Sequence, residues 1–210
     1  MLDEAGLKNC KIFATNALDE YLITELERQG CQVDSYGVGD AIATSKHNPC
    51  FGNVFKLVQI DDKPVLKRSE ETTKLINPGF QITYRIIQND KFKVDVTCLR
   101  GDELSKAIEA KQTITLRDER DRFKSMTFNE GKYEFRTLQQ QIVKDGEIIY
   151  QDRSLQEKQA YYKDNLTHLD DSQKRLINTH YYKCDISDAL YDLKNSLIDN
   201  LVREIEESQE

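Results

Sequence analysis

The chain has 210 residues, a formal net charge of −7 and 38% hydrophobic residues, which indicates one domain or one large domain with an appendage. The negative charge and the lack of a basic run exclude a typical nucleic-acid-binding protein. No apolar run approaches the roughly 20 residues that a membrane-spanning helix needs. Five widely spaced cysteines and an N-terminus without an apolar stretch favour a reducing compartment, and we expect a cytoplasmic protein.

Three zones follow one another without a low-complexity linker. Residues 1–52 predict a β–α–β unit, residues 53–152 a strand-rich region and residues 153–210 a helical region. Short strands that alternate with a helix are typical of a parallel sheet or a barrel, so the predicted fold class is α/β.

The first zone begins with a predicted strand at Lys11–Ala14. Asn16 is predicted to cap the helix that follows, and Gly30 to end it. Gln32–Tyr36 then predicts a second strand. The letters LDEAGL, ahead of the first strand, are typical of the last turns of a helix, so we expect the sequence to enter an α/β domain in its middle.

Alternating apolar and polar residues dominate the second zone. They predict hairpins around Asp61-Asp62 and Asn89-Asp90, and further strands with turns at Glu130-Gly131 and Asp145-Gly146. Asp102–Ala110 predicts a short helix.

The third zone predicts helices at Ser154–Leu166 and Asp170–Ile177, and a last helix capped by Ser187. Its apolar residues recur at helical spacing and predict a packed stripe, with Asp192, Asp199 and Glu206 on the solvated face. The stripe comprises Leu190, Leu193, Leu197, Ile198, Leu201 and Ile205.

A glycine turn directly after the second predicted strand is the most informative segment for function. Gly37 and Gly39, followed by Asp40, permit a sharp bend that exposes backbone N–H groups, and such a concavity suits a phosphate. The spacing is neither the dinucleotide fingerprint nor a Walker A loop. A plain turn remains the alternative.

Thr15 and Asn16 occupy the corresponding place after the first strand. In α/β barrels, ligands gather at the C-terminal ends of strands, so two such loops would face one pocket. The alternative is a simple Asn cap whose acidic neighbours, Asp19 and Glu20, already complement the helix dipole.

The remaining polar residues predict no catalytic group and no metal site. His47 and Cys50 supply two potential ligands where a zinc site needs about four. The mixed-charge run from Lys67 to Lys74 is interpreted as a solvated loop.

Taken together, several segments resemble nicotinate phosphoribosyltransferase. These are KIFATNALDEY, the GVG turn, FKLVQIDDKPVLKRSE, NPGFQITYRI and, near the C-terminus, QKRLINTHYYKCDISDALYDL. The resemblance implies the C-terminal part of a type II phosphoribosyltransferase α/β barrel, with a strand-rich accessory domain and a helical C-terminus. It implies the synthesis of nicotinate mononucleotide from nicotinate and phosphoribosyl pyrophosphate in NAD salvage, with ATP and Mg²⁺.

By the same resemblance, Thr15, Asn16, Gly37 and Gly39 contact the ribose 5-phosphate. Many relatives have Thr at the position of Asp40, whose carboxylate would repel a phosphate unless a metal or a Lys neutralises it or it faces away.

The resemblance also implies that the nicotinate-stacking aromatic and the phosphorylated histidine of the family belong to a segment upstream of this sequence. We therefore expect a C-terminal fragment that is inactive alone and whose partner is the N-terminal half or a second copy. The alternative is a non-catalytic remnant, or a binding or assembly module, from a truncated gene.

Overall fold

The computed structural model describes residues 1–50, 52–67 and 76–207, with the side chains of residues 204 and 205 left aside. Contacts group the chain into two units, Met1–Phe55 and Lys56–Glu210. The finer boundary near residue 152 stays a prediction. No helix within these ranges is long and apolar enough to cross a membrane.

In the part of the first unit that the structure describes there are two strands and two helices. In chain order they are β1 (Phe13–Thr15), α1 (Glu20–Arg28), β2 (Ser35–Gly37) and α2 (Asp40–Ala43). β1 and β2 are parallel, which confirms the predicted β–α–β arrangement, and their register places Thr15 opposite Gly37.

The predicted Asn16 cap of α1 is wrong. Asn16 and Ala17 have φ values of 91° and 49°, so the chain turns once more before the helix begins. Asp19 is the N-cap instead, and its carboxylate accepts a hydrogen bond from the Leu22 N–H at 2.9 Å. The predicted stop at Gly30 is confirmed by its φ of 77°.

Among the described residues, the second unit contains the other ten strands and three α-helices. They are β3 (Gln59–Ile60), β4 (Lys63–Pro64), β5 (Gln81–Gln88), β6 (Lys91–Leu99), α3 (Glu103–Glu109), β7 (Ile114–Arg117), β8 (Ser125–Phe128), β9 (Glu134–Thr137), β10 (Val143–Lys144), β11 (Glu147–Ile148), α4 (Leu155–His168), β12 (Lys183–Ile186) and α5 (Asp188–Glu207).

A mixed four-stranded sheet, in the order β12-β6-β5-β9, forms the centre of this unit. β5 and β6 make the predicted hairpin around Asn89 and Asp90, whose positive φ values of 52° and 59° suit its tight turn. Alternate residues of both strands are buried, so one face of the sheet packs into the core against α3, β7 and β8.

The last helix follows the predicted pattern. Ser187 caps it by accepting a hydrogen bond from the Leu190 N–H at 3.2 Å. Leu190 is fully buried, whereas Leu193, Leu197, Ile198 and Leu201 are partly buried, and the side chain of Ile205 lies outside the described set. The acidic residues Asp192, Asp199 and Glu206 are exposed as predicted.

Two predictions about the third zone need correction. The helix predicted over Asp170–Ile177 is only a 3₁₀ turn at Asp171–Gln173, capped by Asp170. The strand β12 was not predicted, and it pairs in parallel with β6 at a large sequence separation. In the second zone, the hairpin around Asp61-Asp62 forms with strands of two residues each, and most of the Lys67–Lys74 run lies outside the described residues.

Candidate functional site

The five residues predicted to bind phosphate line one cavity in the first unit. Thr15, Asn16, Gly37, Gly39 and Asp40 surround a volume of about 300 Å³, and the lining is completed by Ala17, Leu18, Ala41 and Lys46. The parallel pairing of β1 with β2 puts both C-terminal strand ends at one edge, and the loops that leave them meet there. The predicted site residues are therefore together in the structure.

Two side chains of β1 approach the first glycine of the turn closely. A Cβ on Gly37 would lie 2.7 Å from Cζ of Phe13 and 3.2 Å from Oγ1 of Thr15, so a side chain there would force its neighbours to move. The Thr15 hydroxyl also donates a long hydrogen bond of 3.4 Å to the Gly37 carbonyl, which joins the two loops.

The second glycine of the turn has a different environment. No atom lies within 4 Å of the point where a Cβ on Gly39 would stand. A larger residue at Gly39 would therefore occupy free space beside the cavity and would not clash with a packed wall.

Lys46 is the site residue that the sequence reasoning missed. The chain reverses after α2 at Ser45, which has a φ of 48°, and the Lys46 N–H donates to the Ala41 carbonyl at 3.2 Å. This helix-ending turn carries Lys46 back to the cavity. Ser at a left-handed position gives no strong sequence signal, so only the fold shows the connection.

Three charged residues lie at this site: Asp40 and Lys46 line the cavity, and Asp19 lies close to Lys46. Nζ of Lys46 lies 3.9 Å from Oδ2 of Asp19. The hydrogen bond from the Leu22 N–H is the main reason that the pKa of Asp19 lies below its usual value, and the nearby charges of Lys46 and His47 lower it further.

His47 lies at the beginning of α1. Its Nε2 is 3.7 Å from Oδ2 of Asp19 and 3.9 Å from Oε1 of Glu20, and its ring meets Tyr21 edge-on at a centroid distance of 5.1 Å. It therefore interacts with the first turn of the helix. Across residues 1–50, 52–67 and 76–207, no group of three or more His, Cys, Asp and Glu residues is placed to hold a metal ion.

A second cavity, of about 510 Å³, lies in the second unit between α3, β7 and the beginning of α5. Arg117 and Asp188 both line it, and Asp188 forms ion pairs with Arg117 and Arg122. Burial raises the pKa of the Cys98 thiol in the core of this unit, which makes it a poor nucleophile.

Comparison with known proteins gives the family context of both units. Residues 80–194, more than half of the chain, match the profile of the nicotinate phosphoribosyltransferase C-terminal domain. The chain is 29% identical to the nicotinate phosphoribosyltransferase of Bacillus subtilis over 216 aligned residues, which span 100% of this chain and 43% of that protein. With the Caenorhabditis elegans nicotinate phosphoribosyltransferase it shares 28% identity over 89% of this chain and 33% of that protein.

The fold has a solved counterpart. The crystal structure of human nicotinic acid phosphoribosyltransferase superposes with a TM-score of 0.60 and 22% identity, over 92% of this chain and 34% of the human one. The chain thus spans less than half the length of these relatives.

Proposed function

The chain belongs to the nicotinate phosphoribosyltransferase family, and we propose that its first unit binds the 5-phosphate of the phosphoribosyl substrate. The observation that carries this proposal is the single cavity formed by the Thr15-Asn16 loop and the Gly37–Asp40 loop. The relatives named above support the reaction class, and the strand-end position of the cavity supports an anion as the ligand.

In this proposal the complete enzyme joins nicotinate to phosphoribosyl pyrophosphate and releases pyrophosphate, in the cytoplasmic salvage of nicotinate to NAD. The described chain holds the phosphate end of the substrate. Because the two loops hold the 5-phosphate at one end of the phosphoribosyl group, the reacting carbon at its other end is oriented for attack by the nicotinate nitrogen. The nicotinate pocket is not assigned to this chain.

ATP and Mg²⁺ are implied by the family resemblance for the full enzyme. The described residues offer no cluster of three metal-binding side chains, so the set of ligands for Mg²⁺ is not assigned to this chain. ATP is likewise assigned to the complete enzyme, and the role proposed for this chain is limited to binding and orientation of the phosphate.

Titration calorimetry with ribose 5-phosphate tests the binding proposal on the full chain. Gly39→Val should weaken binding, because its side chain occupies space beside the cavity that is free in the wild-type protein. Gly52→Val is the matched control: Gly52 also has open space around it, lies in the same unit and does not line the cavity. If both variants bind ribose 5-phosphate with the affinity of the wild type, the glycine turn does not contribute to the site.

An activity assay separates the enzyme from the alternative module. We expect no nicotinate mononucleotide from the chain alone, and ATP-stimulated product when the complementary N-terminal part of a nicotinate phosphoribosyltransferase is added. Turnover by the isolated chain would contradict the fragment interpretation. Phosphate binding without restored activity would favour the non-catalytic binding or assembly module.

A further inference from the structure

The cavity at the C-terminal ends of β1 and β2 is lined by one acidic and one basic residue. Asp40 and Lys46 are the only charged residues among the nine described residues that line it. Without Lys46 the lining would carry one negative charge, and with it the two formal charges cancel.

This balance matters because a phosphate monoester carries a charge of about −1.5 to −2 at neutral pH. A carboxylate at a distance of a few ångströms repels such a ligand, and a nearby ammonium offsets that repulsion. The site is partly open to solvent, since the Lys46 side chain is 57% exposed, so both contributions are moderate and fall as salt is added.

Lys46 is also free to turn toward a ligand. Its distance of 3.9 Å from Asp19 is at the outer limit of an ion pair, and Asp19 keeps its hydrogen bond from the Leu22 N–H when Lys46 moves. The backbone N–H of Lys46 donates to the Ala41 carbonyl, and rotation of the side chain leaves that bond intact.

We propose that Lys46 is a phosphate-contacting residue of this cavity and that it compensates the charge of Asp40, so that the pair selects a phosphate monoester without a bound metal. This inference rests on the proposed function, since it names a specificity-determining residue of the same site. The competing arrangement is a divalent cation held by Asp40 that bridges to the phosphate, as Mg²⁺ does when it binds through one carboxylate and a substrate phosphate.

Calorimetry with ribose 5-phosphate, in buffer containing EDTA, is the test. We expect Lys46→Gln to weaken binding roughly fivefold at low salt, which corresponds to about 1 kcal/mol. Lys46→Arg should retain most of the affinity. Asp40→Asn should strengthen binding in the wild type and restore affinity in the Lys46→Gln background. Lys11→Gln, an exposed lysine of the same unit outside the cavity, should change little.

The salt dependence distinguishes a direct contact from a structural effect. Lys46→Gln should reduce the dependence of affinity on ionic strength, whereas a variant that merely distorts the loop would keep it. If Lys46→Gln binds ribose 5-phosphate as tightly as the wild type does, this inference is overturned and the proposed function stands. Binding that requires Mg²⁺ would overturn it in favour of the cation. If the wild-type chain binds no ribose 5-phosphate under either condition, the proposed function itself fails.

Discussion

Ser187 joins the N-termini of two helices, and its replacement by Ala should destabilise the second unit. Its hydroxyl accepts from the Leu190 N–H at 3.2 Å and so caps α5. The same hydroxyl donates to Oδ2 of Asp102 at 2.7 Å, and Asp102 caps α3 through the Ser105 N–H at 2.7 Å. Ser187 is 1% exposed, so water cannot replace either partner without rearrangement.

The magnitude follows from the two bonds. Loss of an N-cap costs about 1 kcal/mol, and loss of a hydrogen bond to a charged group costs roughly 1.5–3 kcal/mol. Asp102 keeps its bonds from the Leu99 and Ser105 N–H groups, which limits the damage. We therefore expect Ser187→Ala to lower the free energy of unfolding by about 2–3 kcal/mol.

Urea unfolding followed by far-UV circular dichroism measures this change. Ser196→Ala is the control, because Ser196 is an exposed residue of the same helix and its hydroxyl donates within the helix, to the Leu193 carbonyl. If both variants unfold at the same urea concentration as the wild type, the link between the helix caps contributes nothing, and the reasoning is refuted.

Leu190 on the α5 stripe is 0% exposed, so Leu190→Ala should lower the free energy of unfolding by about 2–5 kcal/mol. Leu197 is partly buried, so Leu197→Ala should lower it by less, and the reverse order in urea unfolding would contradict the observed packing. Burial raises the pKa of Asp185 above 3.8, so its ionisation costs stability as the pH rises through the interval from that value to the folded-state pKa. The advantage of Asp185→Asn over the wild type should therefore grow with pH and vanish in acid, and a pH-independent difference between their unfolding curves would show that Asp185 titrates normally. Among the described strands β1 pairs only with β2, and Ile12 and Phe13 beside it are 48% and 62% exposed. An open strand edge with exposed apolar residues favours pairing with another chain, so light scattering should show self-association. A monomer at all concentrations would mean that this edge is covered.

Features encoded by short stretches of residues were predictable from the sequence. The β5–β6 hairpin was visible because alternation on both sides of Asn89-Asp90 is a local signal. The predicted cap at Ser187 was recognisable for the same reason, since a side chain that bonds a backbone N–H three residues ahead needs no distant partner. The helices predicted to begin at Asp102 and Ser154 also formed, and in the structure these two residues are their caps.

Features that depend on distant partners were predicted less well. β12 has four residues and no strong alternation, and its strand conformation depends on pairing with β6. Asn16 is an acceptable cap in isolation, but the left-handed turn at Asn16 and Ala17 transfers that role to Asp19. Over 170–177 the helical spacing lacked a buried partner face, and the described residues there are mostly exposed.

The candidate site also combines features that local sequence predicts with features that depend on distant partners. The sequence by itself located the two loops, because glycines and a polar pair directly after predicted strands are local patterns. Only the tertiary structure decided that Thr15 and Gly37 stand side by side, since this requires the parallel register of β1 and β2. It also decided that Lys46 shares the cavity with Asp40, because a left-handed turn at Ser45 returns the chain to the strand ends, and no spacing rule encodes that return.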